Sequence, residues 1–141
     1  QRQDSVKLGL ERLSDSIRLV LVHDAARPFV SRELIARVVD ETRRSSACLP
    51  VVSLRDTVKE VSGSRVLRTL DRDRLRLAQT PQGFEINLLR QALDRARAEG
   101  FYGTDEASLV ERLGAPVSVV PGESENIKIT WREDLYRSGL G

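Results

Sequence analysis

Leu19-Val20-Leu21-Val22-His23-Asp24-Ala25-Ala26-Arg27-Pro28 is the stretch that decides the fold. Four consecutive apolar residues do not alternate between a wet face and a dry one. They predict a strand buried on both faces, of the kind found in parallel sheets covered by helices. The strand ends at His23-Asp24. Ala25 through Pro28 reads as a loop, because Pro28 pushes Arg27 away from helical angles. In open α/β sheets ligands bind beyond the carboxyl ends of strands. Asp24 and Arg27 stand at such a place. An aspartate there can hold a divalent metal or a hydroxyl, and an arginine there can clamp phosphate with two parallel hydrogen bonds. The same pair could instead merely tie the loop. His23 should point opposite to Asp24, as successive residues of a strand do, and reads as structural.

Working outward, Val6, Leu10 and Leu13 recur at helical spacing and predict a helix over 4–13. Ser31 is placed to cap a helix that runs to about residue 43, with Leu34, Ile35, Val38, Val39 and Thr42 on one side. A second strand is expected over 47–52. Pro50 argues that it lies at an edge, is bulged, or is shorter than drawn. Residues 53–80 change character: short β-like pieces alternate with polar residues, and Asp71-Arg72-Asp73 reads as a turn. This segment predicts a protruding ribbon with too little apolar surface to stand alone, suited to packing on a partner subunit. Beyond the Thr80-Pro81-Gln82-Gly83 turn, a helix is expected over 85–99, ended by Gly100 in a left-handed conformation. Thr104 is read as the cap of a further helix through Leu113. Val117 to Val120 is read as a strand and Ile127-Lys128-Ile129 as a short β-like piece. A terminal helix is expected from Trp131 onward. The order predicts an α/β fold with at least three parallel-sheet strands.

Composition sets outer limits. The chain has 141 residues, 40% hydrophobic and 31% charged, which suits one globular domain rather than two or a disordered chain. A formal charge of +2 does not point to a nucleic-acid binder, and the arginines of 65–76 are matched by no reading motif. No run of about 18 apolar residues occurs, so no membrane-spanning helix is expected. The lone Cys48, in an apolar run, reads as a buried small hydrophobe. No dinucleotide fingerprint, Walker A sequence or nucleophile elbow is present. Thr57, Lys59 and Thr80 could contact phosphate or sugar, or merely be solvated. Lys128 could face solvent, or neutralise charge developing on a phosphate.

Seven ordered stretches carry a more specific likeness: Arg2 to Val6, Leu21 to Pro28, Arg55 to Lys59, Thr69 to Arg72, Gln79 to Gln82, Thr104 to Ser108, and Glu123 to Thr130 followed by Glu133-Asp134-Leu135. Together they resemble the 2-C-methyl-D-erythritol 4-phosphate cytidylyltransferases. The resemblance implies a Rossmann-like nucleotidyltransferase sheet with a β-ribbon dimerisation arm at 53–80. It implies transfer of a cytidylyl group from CTP to methylerythritol phosphate, with magnesium orienting the triphosphate. By motif, Ser5 would contact the cytosine end of CTP, and the Ala25 backbone the nucleotide. Asp24 would hold substrate hydroxyls or the metal region. Arg27, Thr57 and Thr80 would line the methylerythritol phosphate site. Lys128 would stabilise charge on the α-phosphate, and Arg72 would reach the substrate phosphate of the other subunit of a homodimer. A related cytidylyltransferase acting on ribitol or another polyol phosphate shares much of this skeleton.

The family's opening strand and its glycine-rich loop, with an arginine and a catalytic lysine, have no match in residues 1–141. The chain therefore reads as the C-terminal two-thirds of one nucleotidyltransferase domain. Alone, it is expected to be poorly stable and to have little or no activity; within a longer chain the enzyme reading stands. A cytoplasmic location is expected, or a plastid if the source is a plant.

Overall fold

The computed structural model describes residues 2–131, 133 and 134. Among these residues four α-helices and seven strands follow in the order α1 (Arg2–Glu11), β1 (Leu19–Val22), α2 (Arg32–Ser45), β2 (Ala47–Ser53), β3 (Val58–Ser62), β4 (Arg65–Leu70), β5 (Arg76–Ala78), β6 (Gln82–Glu85), α3 (Ile86–Ala98), α4 (Glu106–Arg112) and β7 (Ser118–Pro121). The helix expected from Trp131 onward falls mostly outside the described residues. None of the described helices is long and apolar enough to cross a membrane.

The three expected sheet strands do run in one direction, but not as an all-parallel sheet. β7 pairs with β2 in parallel. β6 inserts between β1 and β2, antiparallel to both. The sequence alone reads β6 as a turn and a helix start. It is short, and Gln82 and Gly83 carry none of the β-branched character that marks a strand. Tertiary contacts make it one. A Cβ on Gly83 would collide with Thr42 Oγ1 and lie 3.0 Å from Val38 Cγ1, so only glycine lets α2 lie this close. Phe84 is fully buried in the main core with Ala47, Leu89 and Val110. The buried Gln82 side chain donates to Asp105 Oδ2 at 2.8 Å and accepts from Ala107 N at 3.1 Å. β1 itself is less covered than its composition predicts: Val20 is buried and its three neighbours are half-buried.

Pro50 lies in the central strand, with partners on both edges, rather than at an edge. The register explains how. β2 pairs Cys48 with Gly83 and Val51 with Ala78, so Leu49 and Pro50 face the four residues 79–82. The strand opposite is bulged, not β2. The Pro50 carbonyl still accepts from Gln79 N at 2.8 Å, and its missing N–H falls on the bulged side, where no regular ladder partner stands.

The helix ends follow local chemistry. Ser31 caps α2 as expected, accepting from Leu34 N at 2.9 Å. Gly100 follows α3 at φ +63°, the left-handed stop that its position predicts. The cap of α4 is Asp105, not Thr104: its carboxylate accepts from Ser108 N at 3.0 Å. Asp105 is fixed in that role because its other oxygen receives Gln82. Cys48 is fully buried, and burial, aided by nearby Glu41, pushes its thiol up to about 11. It is an inert packing residue.

Within 53–80, β3 and β4 form a separate two-stranded antiparallel sheet, and residues 76–78 rejoin the main sheet as β5. Cross-strand partners hold the ribbon: Lys59 Nζ donates to Thr69 Oγ1 at 2.6 Å, and Arg68 pairs with Glu60. Three of its apolar residues are bare, with Val61 59%, Val66 60% and Leu67 60% exposed.

Candidate active site

Strands β1, β2 and β7 share a direction, so their carboxyl ends lie at one end of the sheet. Two loops and one bulge meet there: residues 23–28 after β1, residues 122–130 after β7, and residues 79–81 between β5 and β6. The first loop is a tight turn, with Arg27 N donating to Asp24 O at 2.9 Å. The second is stitched to its neighbour. Ile129 N donates to Ala26 O at 2.8 Å, and Arg27 Nη1 donates to Asn126 O at 2.7 Å. These bonds replace the β-like pairing expected at Ile127-Lys128-Ile129, which is not a strand.

The turn and the loop bring three charges together. Lys128 Nζ lies 3.1 Å from Asp24 Oδ2, and Arg27 Nε 3.8 Å from the same oxygen. The Asp24 and Arg27 side chains are 11% and 13% exposed, and Lys128 is 44% exposed. Among the described residues, two cations thus face one carboxylate at the mouth of the sheet, a net positive cluster beside solvent. Such a site favours an anionic ligand, and a phosphate in particular.

Three side chains that the sequence did not single out hold this arrangement. Asn126 is fully buried; its Nδ2 donates to Thr80 O at 2.8 Å. Gln79 donates from Nε2 to Glu123 O at 2.8 Å, and its Oε1 accepts from Glu123 N at 3.1 Å. The Glu123 carboxylate in turn accepts from Ser31 Oγ and Arg37 Nη2, both at 2.8 Å, which ties the loop to the start of α2. The available signal was the polar run 123–126 after a strand, and it reads equally as loop. Asn126→Ala should cost about 1–3 kcal/mol, because the buried Thr80 carbonyl loses its donor. Chemical denaturation checks the magnitude. A loss under about 0.5 kcal/mol would show that the carbonyl finds another partner.

The other expected residues fall on several elements. Thr80 is 4% exposed, with its hydroxyl 3.0 Å from both Asp24 N and His23 Nδ1. The Ala25 backbone forms the crest of the Asp24–Arg27 turn. Ser5 lies on α1. Thr57 and Arg72 both lie at the base of the ribbon, beside the Val58–Leu70 pair. Both are exposed, and Arg72 Nη1 donates to Arg55 O at 2.6 Å. His23 follows the end of β1, and its ring meets the Thr80 hydroxyl and the Arg27 carbonyl.

The family model for 2-C-methyl-D-erythritol 4-phosphate cytidylyltransferase matches residues 1–140. The chain belongs to this family. A cytidylyltransferase of that name from Syntrophus aciditrophicus is 49% identical over 136 residues, covering 96% of this chain and 58% of the relative. A bifunctional IspD/IspF enzyme from Solidesulfovibrio magneticus is 55% identical over 136 residues, covering 96% of this chain and 34% of that protein. The crystal structure of the cytidylyltransferase from Thermus thermophilus superposes with a TM-score of 0.91 at 47% identity, covering 98% of this chain and 67% of that one. The chain spans less than two thirds of the length of the curated cytidylyltransferases it matches. The α/β fold of the family, expected from the motifs, is the fold observed.

Proposed function

We propose that the polypeptide containing this chain is a cytidylyltransferase that joins CTP to methylerythritol phosphate and releases pyrophosphate. The observation that carries the reading is the Lys128–Asp24–Arg27 cluster at the carboxyl ends of β1 and β7, in a chain of this family. A phosphate oxygen of the polyol phosphate forms a bond to the α-phosphorus of CTP, and the bond to the bridging oxygen breaks. Pyrophosphate carries away the electron pair. No protein nucleophile is required, so positioning and electrostatics supply the rate enhancement.

Lys128 is exposed enough to meet a ligand and is aimed by Asp24; its ammonium stabilises charge on the α-phosphate. Asp24 accepts from substrate hydroxyls, and Arg27, with Thr80 behind it, lines the acceptor site. The Ala25 backbone and Ser5 serve the nucleotide. Thr57 also lines the acceptor site, and Arg72 reaches the acceptor phosphate of a second subunit. The bare Val61, Val66 and Leu67 support a homodimer built through that arm. Among the described residues no group of three carboxylate, His or Cys side chains could cage a metal. Asp24 is the site carboxylate that would hold magnesium beside a bound nucleotide. When bound, the ion would neutralise phosphate charge and orient the triphosphate. Bacterial relatives support a cytoplasmic setting.

The test is pyrophosphate release by the intact polypeptide with CTP, magnesium and methylerythritol phosphate, with ribitol phosphate as competing acceptor. Release with methylerythritol phosphate is expected. Release with ribitol phosphate alone would transfer the reading to a polyol-phosphate enzyme, and release with neither, from folded protein, would overturn cytidylyl transfer.

A further inference from the structure

The His23 ring bridges the end of the 23–28 loop and the bulge at 79–81. Its Nε2 lies 3.0 Å from the Arg27 carbonyl oxygen and its Nδ1 3.0 Å from Thr80 Oγ1. A carbonyl oxygen only accepts, so Nε2 carries the hydrogen. In the neutral ring Nδ1 is then the acceptor, and the Thr80 hydroxyl donates to it. The same hydroxyl oxygen accepts from Asp24 N at 3.0 Å. One threonine thus receives a backbone donor from the turn and gives its own hydrogen to the ring, which returns to the carbonyl of Arg27, the last residue of the turn. Asp24 and Arg27 are both members of this ring of bonds.

We propose that His23 is a positioning residue of the site, acting through Thr80 and the Arg27 carbonyl to set the Asp24 carboxylate against Lys128. This rests on the cytidylyltransferase reading. Thr80 is anchored independently from behind, because its carbonyl is held by Asn126. The bulge is therefore the fixed side, and the turn is referenced to it through His23. A bond of this kind contributes modestly to stability when exposed, and its weight falls on geometry instead: a displacement of about 1 Å at a reacting group costs up to roughly 100-fold in rate.

The test compares His23→Ala, His23→Asn and Thr80→Val, singly and as His23→Ala with Thr80→Val, in the intact polypeptide. His23→Ala is expected to lower kcat/KM for pyrophosphate release by about 10- to 100-fold, with the thermal midpoint nearly unchanged. His23→Asn keeps an acceptor near Nδ1 but has no donor at the Nε2 position, and should recover part of that loss. In the Thr80→Val background the alanine substitution should cost little more. An equal loss in both backgrounds, or no recovery with asparagine, overturns the proposal. A second readout does not depend on turnover. Long-range 1H–15N spectra, with the His23→Ala spectrum assigning the ring, should show the Nε2–H tautomer, and Thr80→Val should shift Nδ1. An Nδ1–H tautomer would overturn the proposal even in an active enzyme. The expected tautomer and Nδ1 shift in a protein that releases no pyrophosphate would uphold the bond network while sinking the catalytic reading.

Discussion

Lys128→Ala in the intact polypeptide is expected to lower kcat for pyrophosphate release by about 100- to 1,000-fold, the range seen when one preorganised charge donor is removed from a transition state. The fold should barely respond. Lys128 is 44% exposed, and an ion pair so open to solvent contributes about 0–1 kcal/mol. A large kinetic loss with a small stability loss separates a residue that meets the reacting phosphate from one that ties a loop. Steady-state kinetics beside thermal melts of the same preparation give both quantities. KM for CTP should change less than kcat if the ammonium acts mainly on charge that develops during transfer. A variant with wild-type kcat would remove Lys128 from the chemistry and leave it as the solvated partner of Asp24.

Phe84→Ala is expected to produce the largest loss of stability, about 3–5 kcal/mol. Phe84 is completely buried, sits opposite both Val20 and Ala47 in the sheet, and packs into the core with Leu89 and Val110. Removing its ring would leave a cavity beside the strand that joins β1 to β2. Urea unfolding of the intact polypeptide reads the change. A loss below about 1.5 kcal/mol would mean that the surrounding helices collapse into the space. The prediction also tests the topology. If β6 were dispensable to the sheet, its central aromatic residue could be lost at the cost of an ordinary surface substitution.

β6 is where reading the sequence was least able to anticipate the fold. Nothing in Gln82-Gly83-Phe84-Glu85 repeats with a strand period. Its conformation comes from what surrounds it: a close helix that requires glycine, a core that requires the ring, and an α4 terminus that requires the amide of Gln82. Pro50 misled for a related reason. Its cost depends on what lies opposite, and the bulge at 79–82 was not legible from β2 itself. The α4 cap moved by one residue, from Thr104 to Asp105, because both neighbours are competent caps and only the contact with Gln82 distinguishes them.

The sequence by itself determined the strand ending at Val22, the helices after Ser31 and before Gly100, the ribbon, and the family, because each is written in local spacing or in contiguous motifs. It also placed Asp24 and Arg27 at a strand end, where ligands bind. Only the tertiary structure decided that Lys128, more than a hundred residues away, comes within 3.1 Å of Asp24, and that His23, Gln79 and Asn126 hold the loops that make this so. The reason is physical. Helix and strand periodicity arise from neighbours along the chain, whereas a buried amide or an exposed lysine acquires its partner from whichever loop the sheet brings alongside.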